Sequence, residues 1–363
     1  MLDIALKVLN KISDFGYQAY IIGGYPRDLY LKRSSTDVDI CTDATPKEIM
    51  NIFPEIVTSN SEYGSVIISY EKIRFEITTF RTEGKYKDYR KPSNIQYISS
   101  LEEDLKRRDF TINTLCIDKE GQKIDLLNAK SDLDNRIVRM IGNPKLRLKE
   151  DVLRILRAIR FATVLNFELE PVLKIYIKKY GPLLKKLSKE RQKEELDLIF
   201  SSPNKEYGIK LLCELKLAEN LDIPNLKKVK ITPSAVCIWA QLNVLDKFNF
   251  TSSERETIIN ILNLQDKNLL DKKTLYEYGL YYCTLACELQ DIDKTKLNKI
   301  YSLMAIHSKL DIVLQPSQIC KILDKEPGAF LKNIISDLEN QILDEKIENN
   351  EQKLIDYIIN NYK

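Results

Sequence analysis

Residues 21–40 read Ile-Ile-Gly-Gly-Tyr-Pro-Arg-Asp-Leu-Tyr-Leu-Lys-Arg-Ser-Ser-Thr-Asp-Val-Asp-Ile. Tyr20-Ile21-Ile22 is an apolar run with strand character, and Gly23-Gly24 ends it with two residues free of Cβ clashes. Past the turn stand Arg27 and then Asp37-Val38-Asp39, between Thr36 and Ile40. In a strand, side chains alternate faces, so Asp37 and Asp39 point one way and Val38 the other, into a core. Two carboxylates side by side repel unless a cation lies between them, and oxygen-only ligand sets suit Mg²⁺. A bare Asp-x-Asp also reads as two solvated aspartates. Joined to a Gly-Gly phosphate turn and an arginine, it reads as a nucleotidyl-transfer site.

The chain around this stretch is 363 residues long, more than one compact core needs, so two or more domains are expected. With 44% hydrophobic and 30% charged residues it has the balance of an ordered protein. No run of about 18 apolar residues occurs, so no membrane span is expected. The N-terminus reads as an amphipathic helix, not a leader. Seven scattered cysteines fit reduced thiols and a cytoplasmic protein. Cys283 and Cys287 share a helical face without further ligands nearby and read as core. The single histidine, His307, reads as a helix-surface residue, which excludes His-rich metal chemistry. Net charge is only +3, but residues 147–195 carry thirteen Lys/Arg against seven Asp/Glu. That surplus could follow a phosphate backbone or form a solvated helix face.

In chain order, residues 2–14 have helical spacing and Gly16 sits at a helix C-terminus. A strand at 18–22, a short helix around 27–31 and a strand over 37–40 follow. Thr45-Pro46 opens a helix, and Ser65–Tyr70 with Ile73–Thr79 forms a hairpin. Glu76, between Phe75 and Ile77, is either on a solvated face or a third carboxylate at the site. Residues 81–100 read as a mobile loop able to touch phosphates and stack on bases. Leu101–Leu115 has a helical pattern with an Arg107-Arg108-Asp109 cluster, and Cys116–Asp125 forms another hairpin. From Pro144 the pattern is almost entirely helical. Arg154, Arg157 and Arg160 step by three along one side of a helix, with Asp151 a turn earlier. Such a row is either an ion-pair helix or a protein template, in which carboxylate and guanidinium read a base edge. A linker is expected over 222–234, with Trp239 and many tyrosines in a core beyond it.

Taken together, the motifs resemble the bacterial class II tRNA nucleotidyltransferases, the CCA-adding enzymes, and their poly(A) polymerase relatives. The resemblance rests on Gly23-Gly24-x-x-Arg27-Asp28, Asp37-x-Asp39, Glu76-Ile-Thr-Thr-Phe-Arg81 and Tyr86-Lys-Asp-Tyr-Arg90-Lys-Pro92. It continues through Arg107-Arg108-Asp109-Phe-Thr-Ile-Asn113, Glu150-Asp151-x-x-Arg154 and Arg157-x-x-Arg160-Phe161-Ala. Order and spacing hold over roughly residues 18–200, and Lys325-Glu-Pro-Gly328 and Glu348-Asn-Asn look like the family's tail.

The resemblance implies an α+β protein. A polymerase-β-like mixed α/β nucleotidyltransferase head (1–138) is followed by an all-helical neck (139–200), body (201–312) and tail (313–363). It further implies that Asp37 and Asp39 bind Mg²⁺ and that Glu76 is a third catalytic carboxylate. Gly24, Arg27, Arg108, Arg154, Arg157 and Arg160 would contact the incoming nucleotide, and Asp151 with Arg154 would read the base of CTP or ATP. The partner implied is tRNA, held at its 3′ end and acceptor/T-arm region, by a monomer or a dimer.

Other family activities stay open: a CC-adding enzyme, an A-adding enzyme or a poly(A) polymerase. Glu62-Tyr-Gly-Ser-Val-Ile-Ile-Ser looks like the CCA-adding side, and residues 81–92 look like an intact loop, unlike the CC-adding type. A catalytically inactive RNA-binding protein on the same fold is the reading from a different class. One histidine and no His-Asp pair leave out the phosphohydrolase appendage of some relatives.

Overall fold

A computed structural model describes residues 1–53, 56–60, 64–84, 86–87, 91–92 and 94–363. They fall into two compact units, Met1–Lys227 and Lys228–Lys363, divided inside the expected linker stretch.

In the first unit, Leu2–Asp14 (α1) buries Ala5, Val8, Leu9 and Ile12, the face that its spacing predicts. Gly16, at φ +91°, turns the chain into Ala19–Ile22 (β1). Gly24–Tyr30 (α2) and Val38–Thr42 (β2) follow. Pro46–Ile52 (α3) starts with a capping box in which Thr45 and Glu48 satisfy each other's backbone groups. Ile56–Asn60 (β3), Ser65–Tyr70 (β4) and Ile73–Thr79 (β5) come next. Arg81–Glu83 (β6) pairs with Ile95–Tyr97 (β9), and Tyr86–Lys87 (β7) with Lys91–Pro92 (β8). Leu101–Lys106 (α4), Cys116–Ile117 (β10) and Lys123–Ile124 (β11) complete the head.

The main sheet runs β11-β10-β1-β2-β5-β4-β3. Every neighbouring pair is antiparallel except β2 and β5, whose parallel register sets Val38 opposite Phe75 and Asp39 opposite Glu76. Strand alternation then sorts the side chains. Ile21, Val38, Ile40, Phe75 and Ile77 pack with α1 and α3 on one face. Ile22 and Cys41 pack with Phe80, Leu101 and Leu105 on the other. Asp39 and Glu76 belong to this second face.

Beyond the sheet come Ala129–Asp134 (α5) and Ile137–Val138 (β12), which pairs in parallel with Glu168–Leu169 (β13). The helices are Pro144–Glu150 (α6), Leu153–Leu165 (α7), Pro171–Tyr180 (α8), Lys189–Ser201 (α9), Lys205–Glu214 (α10) and Leu217–Asn220 (α11). The second unit is helical throughout its described elements. Ala235–Leu242 (α12) carries Trp239, which is buried with its ring 5.1 Å from that of Phe248. Ser252–Asn263 (α13), Lys272–Gln290 (α14), Lys294–Leu303 (α15), Pro316–Leu323 (α16), Phe330–Leu343 (α17) and Glu351–Tyr362 (α18) follow. Their core includes Leu275, Cys283, Cys287, Leu297, Leu338 and Leu354, so the two cysteines are the core residues expected.

The α+β head and helical remainder match the expected architecture, with local departures. Asp37 precedes β2, which begins at Val38. The pattern over 101–115 yields only one helix, ending at Lys106, and then a 3₁₀ turn at Thr111–Asn113. The buried Asp104 carboxylate accepts from Arg107 and Arg108, three and four residues on, and so fastens the end of this helix. His307 lies in a loop after α15, its Nε2 2.8 Å from the Tyr301 carbonyl, not on a helix surface. Parts of the stretches read as the loop and as the strand beginning at Glu62, namely 62–63, 85, 88–90 and 93, lie outside the described residues.

Candidate active site

The turn after β1 is tight against the acid pair. Gly23 adopts φ +83°, and a Cβ there would lie 2.9 Å from Asp39 Oδ2. Glycine is therefore required twice, by backbone angle and by space. Gly24 opens α2, which delivers Arg27. That guanidinium is buried and fully directed: Nε and Nη2 donate to the two Asp28 oxygens at 3.0 Å each, and Nη1 to Asn113 Oδ1 at 2.7 Å.

Asp39, itself exposed, lines the cleft that this turn borders. Crowding by protein and the Glu76 carboxylate push its pKa up to about 6, against the pull of Arg108. A carboxylate pushed up by burial and by a like charge beside it marks a site that a divalent cation would relieve. Among the described residues no group of three Asp, Glu, His or Cys is gathered tightly enough to hold an ion alone. Asp37 and Asp39 fit an ion that keeps water and substrate oxygens in its shell, as Mg²⁺ does. Glu76 is exposed and sits beside Asp39 on the next strand, outside the cleft lining.

Arg108 leaves α4 at its C-terminal end and is locked by Asp104, its Nη2 3.0 Å from Oδ2. Burial alone would push Asp104 up, but Arg108 and Arg107 outweigh it and hold that carboxyl below its ordinary value. Arg107 also reaches Glu83 at 3.2 Å, which binds Arg81, so the base of the 81–97 segment is tied to the same buried network.

The opposite wall is α7. The helix expected over 150–161 is broken: α6 ends at Glu150, α7 starts at Leu153, and Asp151 occupies the extended corner. Its Oδ1 accepts from the Leu153 amide at 3.0 Å, capping the new helix. Burial raises the Asp151 pKa, opposed by Arg154 and Arg191. Arg154 is buried and donates from Nη1 to the Arg147 carbonyl at 2.8 Å and to Glu150 at 3.1 Å. Arg157 grips Asp109 Oδ2 with Nε at 2.8 Å, and Arg160 Nε donates to Glu195 at 2.7 Å. Phe161 is the hub of this wall. The guanidinium carbons of Arg160, Arg27 and Arg157 lie 4.2, 5.4 and 5.6 Å from its ring centroid. The Phe110 ring supports it edge-on at 5.6 Å.

Together these groups line a cleft of about 800 Å³ with eight arginines and six Asp/Glu. Of the ten residues singled out from sequence, the cleft gathers nine; Glu76 is the one beside it. Arg191, near the start of α9, also lines it and was not foreseen. Its one local signal is a cation in the first turn of a helix, where the dipole disfavours it. The cleft can hold a polyanion against the arginine wall, next to a carboxylate pair suited to a cation.

Residues 19–139 match the Poly A polymerase head domain family, residues 166–229 the "Probable RNA and SrmB- binding site of polymerase A", and residues 241–358 a tRNA nucleotidyltransferase domain 2. The chain is 33% identical to the CCA-adding enzyme of Streptococcus suis over 98% of this chain and 95% of that one. Its fold is similar to that of the Bacillus stearothermophilus CCA-adding enzyme in complex with CTP. There the TM-score is 0.88 and the identity 26%, covering 99% of this chain and 97% of that one. A Thermotoga maritima CCA-adding enzyme complexed with tRNA_CCA shares the fold at TM-score 0.67 and 19% identity, over 100% of this chain and 95% of that one. The chain belongs to the CCA-adding enzymes, a family of nucleotidyltransferases.

Proposed function

We propose that this chain adds CCA to the 3′ end of tRNA from CTP and ATP, without a nucleic-acid template. The observation that carries the reading is one cleft holding Asp37 and Asp39 opposite an arginine wall ordered around Phe161. Mg²⁺ held at Asp37 and Asp39 would supply Lewis acidity to the attacking 3′-hydroxyl and to the departing pyrophosphate. Glu76 acts beside them by keeping negative charge next to Asp39. The Gly23-Gly24 turn lets phosphate approach the backbone closely, and Arg27, Arg108, Arg157 and Arg160 orient the triphosphate. Their directions are fixed beforehand by Asp28, Asp104, Asp109 and Glu195, so little ordering is needed when nucleotide binds. Asp151 and Arg154 select the base: the carboxylate accepts from an amino group and the guanidinium donates to the ring, a pattern offered by cytosine and adenine.

In this reading residues 1–138 form the head, 139–200 the neck, 201–312 the body and 313–363 the tRNA-binding tail, with tRNA held at its 3′ end and acceptor/T-arm region. The seven free thiols suit a cytoplasmic enzyme, and among the described residues no helix is long and apolar enough to cross a membrane.

The test uses tRNAs lacking CCA, CA or A with one labelled nucleotide at a time. A complete CCA end on the first substrate supports full addition. AMP incorporation on tRNA-CC alone, with no CMP on any substrate, replaces it with A-addition.

A further inference from the structure

Three guanidiniums of the cleft share one neighbour, the ring of Phe161. Their carbons lie 4.2 Å (Arg160), 5.4 Å (Arg27) and 5.6 Å (Arg157) from its centroid. Phe161 lines the cleft yet is only 7% exposed, and Phe110 meets it edge-on, so the ring is itself held in place. The arrangement joins two elements. Arg27 comes from α2, whereas Arg157 and Arg160 belong to α7, with Phe161 one helical turn after Arg157 and next to Arg160. Three cations around one ring repel one another, while the negative face of an aromatic ring attracts a guanidinium within about 6 Å.

Carboxylates and amides constrain the three unequally. Arg27 is engaged through Nε, Nη1 and Nη2. Arg157 gives Nε and Nη2 to Asp109 Oδ2. Arg160 gives Nε alone, to Glu195. Among the described residues, Arg157 Nη1 and both Nη groups of Arg160 therefore have no protein acceptor, and none of them is a buried orphan. A guanidinium held only at Nε still swings about that bond, and Arg160 is the one packed nearest the ring. Contact with Phe161 supplies the second restraint, which fixes the plane in which the free donors meet an anion.

We propose that Phe161 is a positioning residue whose ring, by cation–π attraction, sets the guanidiniums of Arg157 and Arg160 against that of Arg27 and so orients the triphosphate of either nucleotide. The proposal rests on the reading that these arginines orient the triphosphate.

The experiment measures kcat and KM for CTP on tRNA lacking CCA, and for ATP on tRNA-CC. The proteins are the full-length wild type, Phe161→Leu, and a series with phenylalanines of increasing ring fluorination at position 161. Fluorine withdraws charge from the ring face and nearly keeps the ring's size, so a purely structural role would not follow the series. A thermal melt accompanies each protein. Phe161→Leu is expected to lower kcat roughly tenfold for both nucleotides, with each KM within about threefold, because orientation is lost and the cations remain. Across the fluorinated series kcat should fall stepwise, in parallel for CMP and AMP addition, at a melting temperature near wild type. Equal kcat along the series overturns the proposal, and so does a fall confined to one nucleotide. If Phe161→Leu fails to fold, the fluorinated series decides alone. A wild type that incorporates neither CMP nor AMP removes the reading of the cleft and this proposal with it. An active wild type with no trend along the series removes the role of Phe161 alone.

Discussion

A methyl group at position 23 would stand 2.9 Å from Asp39 Oδ2, on a backbone at φ +83°. Gly23→Ala should therefore cost about 1–2 kcal/mol of stability and lower CMP incorporation at least roughly tenfold by displacing the carboxylate. Urea unfolding and a labelled-CTP assay read the two effects, and wild-type activity would refute the close approach. Asp39→Ala should abolish incorporation while tRNA affinity in filter binding stays close to wild type; lost binding would make Asp39 structural. Asp151→Ala should blur the choice between CTP and ATP more than it weakens tRNA binding, and unchanged selection would remove the template role. At this scale the acids and arginines were legible because their types and spacing carry their chemistry. The Asp151 corner was not, since Glu150-Asp151-Val152 suits a continuing helix and only the Leu153 cap bond shows the break. Arg191 was hidden because a lone arginine on a charged helix resembles any solvated one.

Among the elements, β2 and β5 were readable from alternation, but their parallel pairing was not, because the register joining Asp39 to Glu76 spans a long connection. The helical pattern at 101–115 misled for a different reason: Asp104, Arg107 and Arg108 are spent on a buried network, and only Glu102 and Glu103 pair with Lys106 on the exposed helix surface. That network predicts a pH effect. Asp104 is held below its ordinary value in the folded protein, so its contribution is present above the unfolded value of about 4. It is lost as pH falls below that toward the folded pKa. Urea midpoints should fall below about pH 4 in the wild type, with a shallower fall in Asp104→Asn. Breaking the network with Asp104→Ala should destabilise by about 3 kcal/mol or more; a loss under about 1 kcal/mol would show that Arg107 and Arg108 find other partners.

Across the whole chain, a formal charge of +3 conceals where the cations lie. Lys174, Lys178, Lys179, Lys185 and Lys186 are all exposed on α8 and the 3₁₀ turn after it, with no acid between them. Lys178→Glu with Lys179→Glu should raise KM for tRNA roughly tenfold at low salt and leave KM for CTP near wild type. An unchanged tRNA KM would mark these lysines as an ordinary solvated face. The helical run after Pro144 announced the predominantly helical remainder, though not β13 within the stretch expected to be an all-helical neck, and composition alone could not say which of its charges face solvent and which face the cleft. The arginine wall has one more consequence. Arg27, Arg108, Arg154, Arg157 and Arg160 each carry a protein carboxylate, so most of the wall's field is neutralised before any ligand arrives. Bare guanidiniums would clutch released pyrophosphate and stall the next round. Under the proposed function, a wall already paired with protein carboxylates would align a triphosphate and still let the product go, as successive additions in one cleft would require.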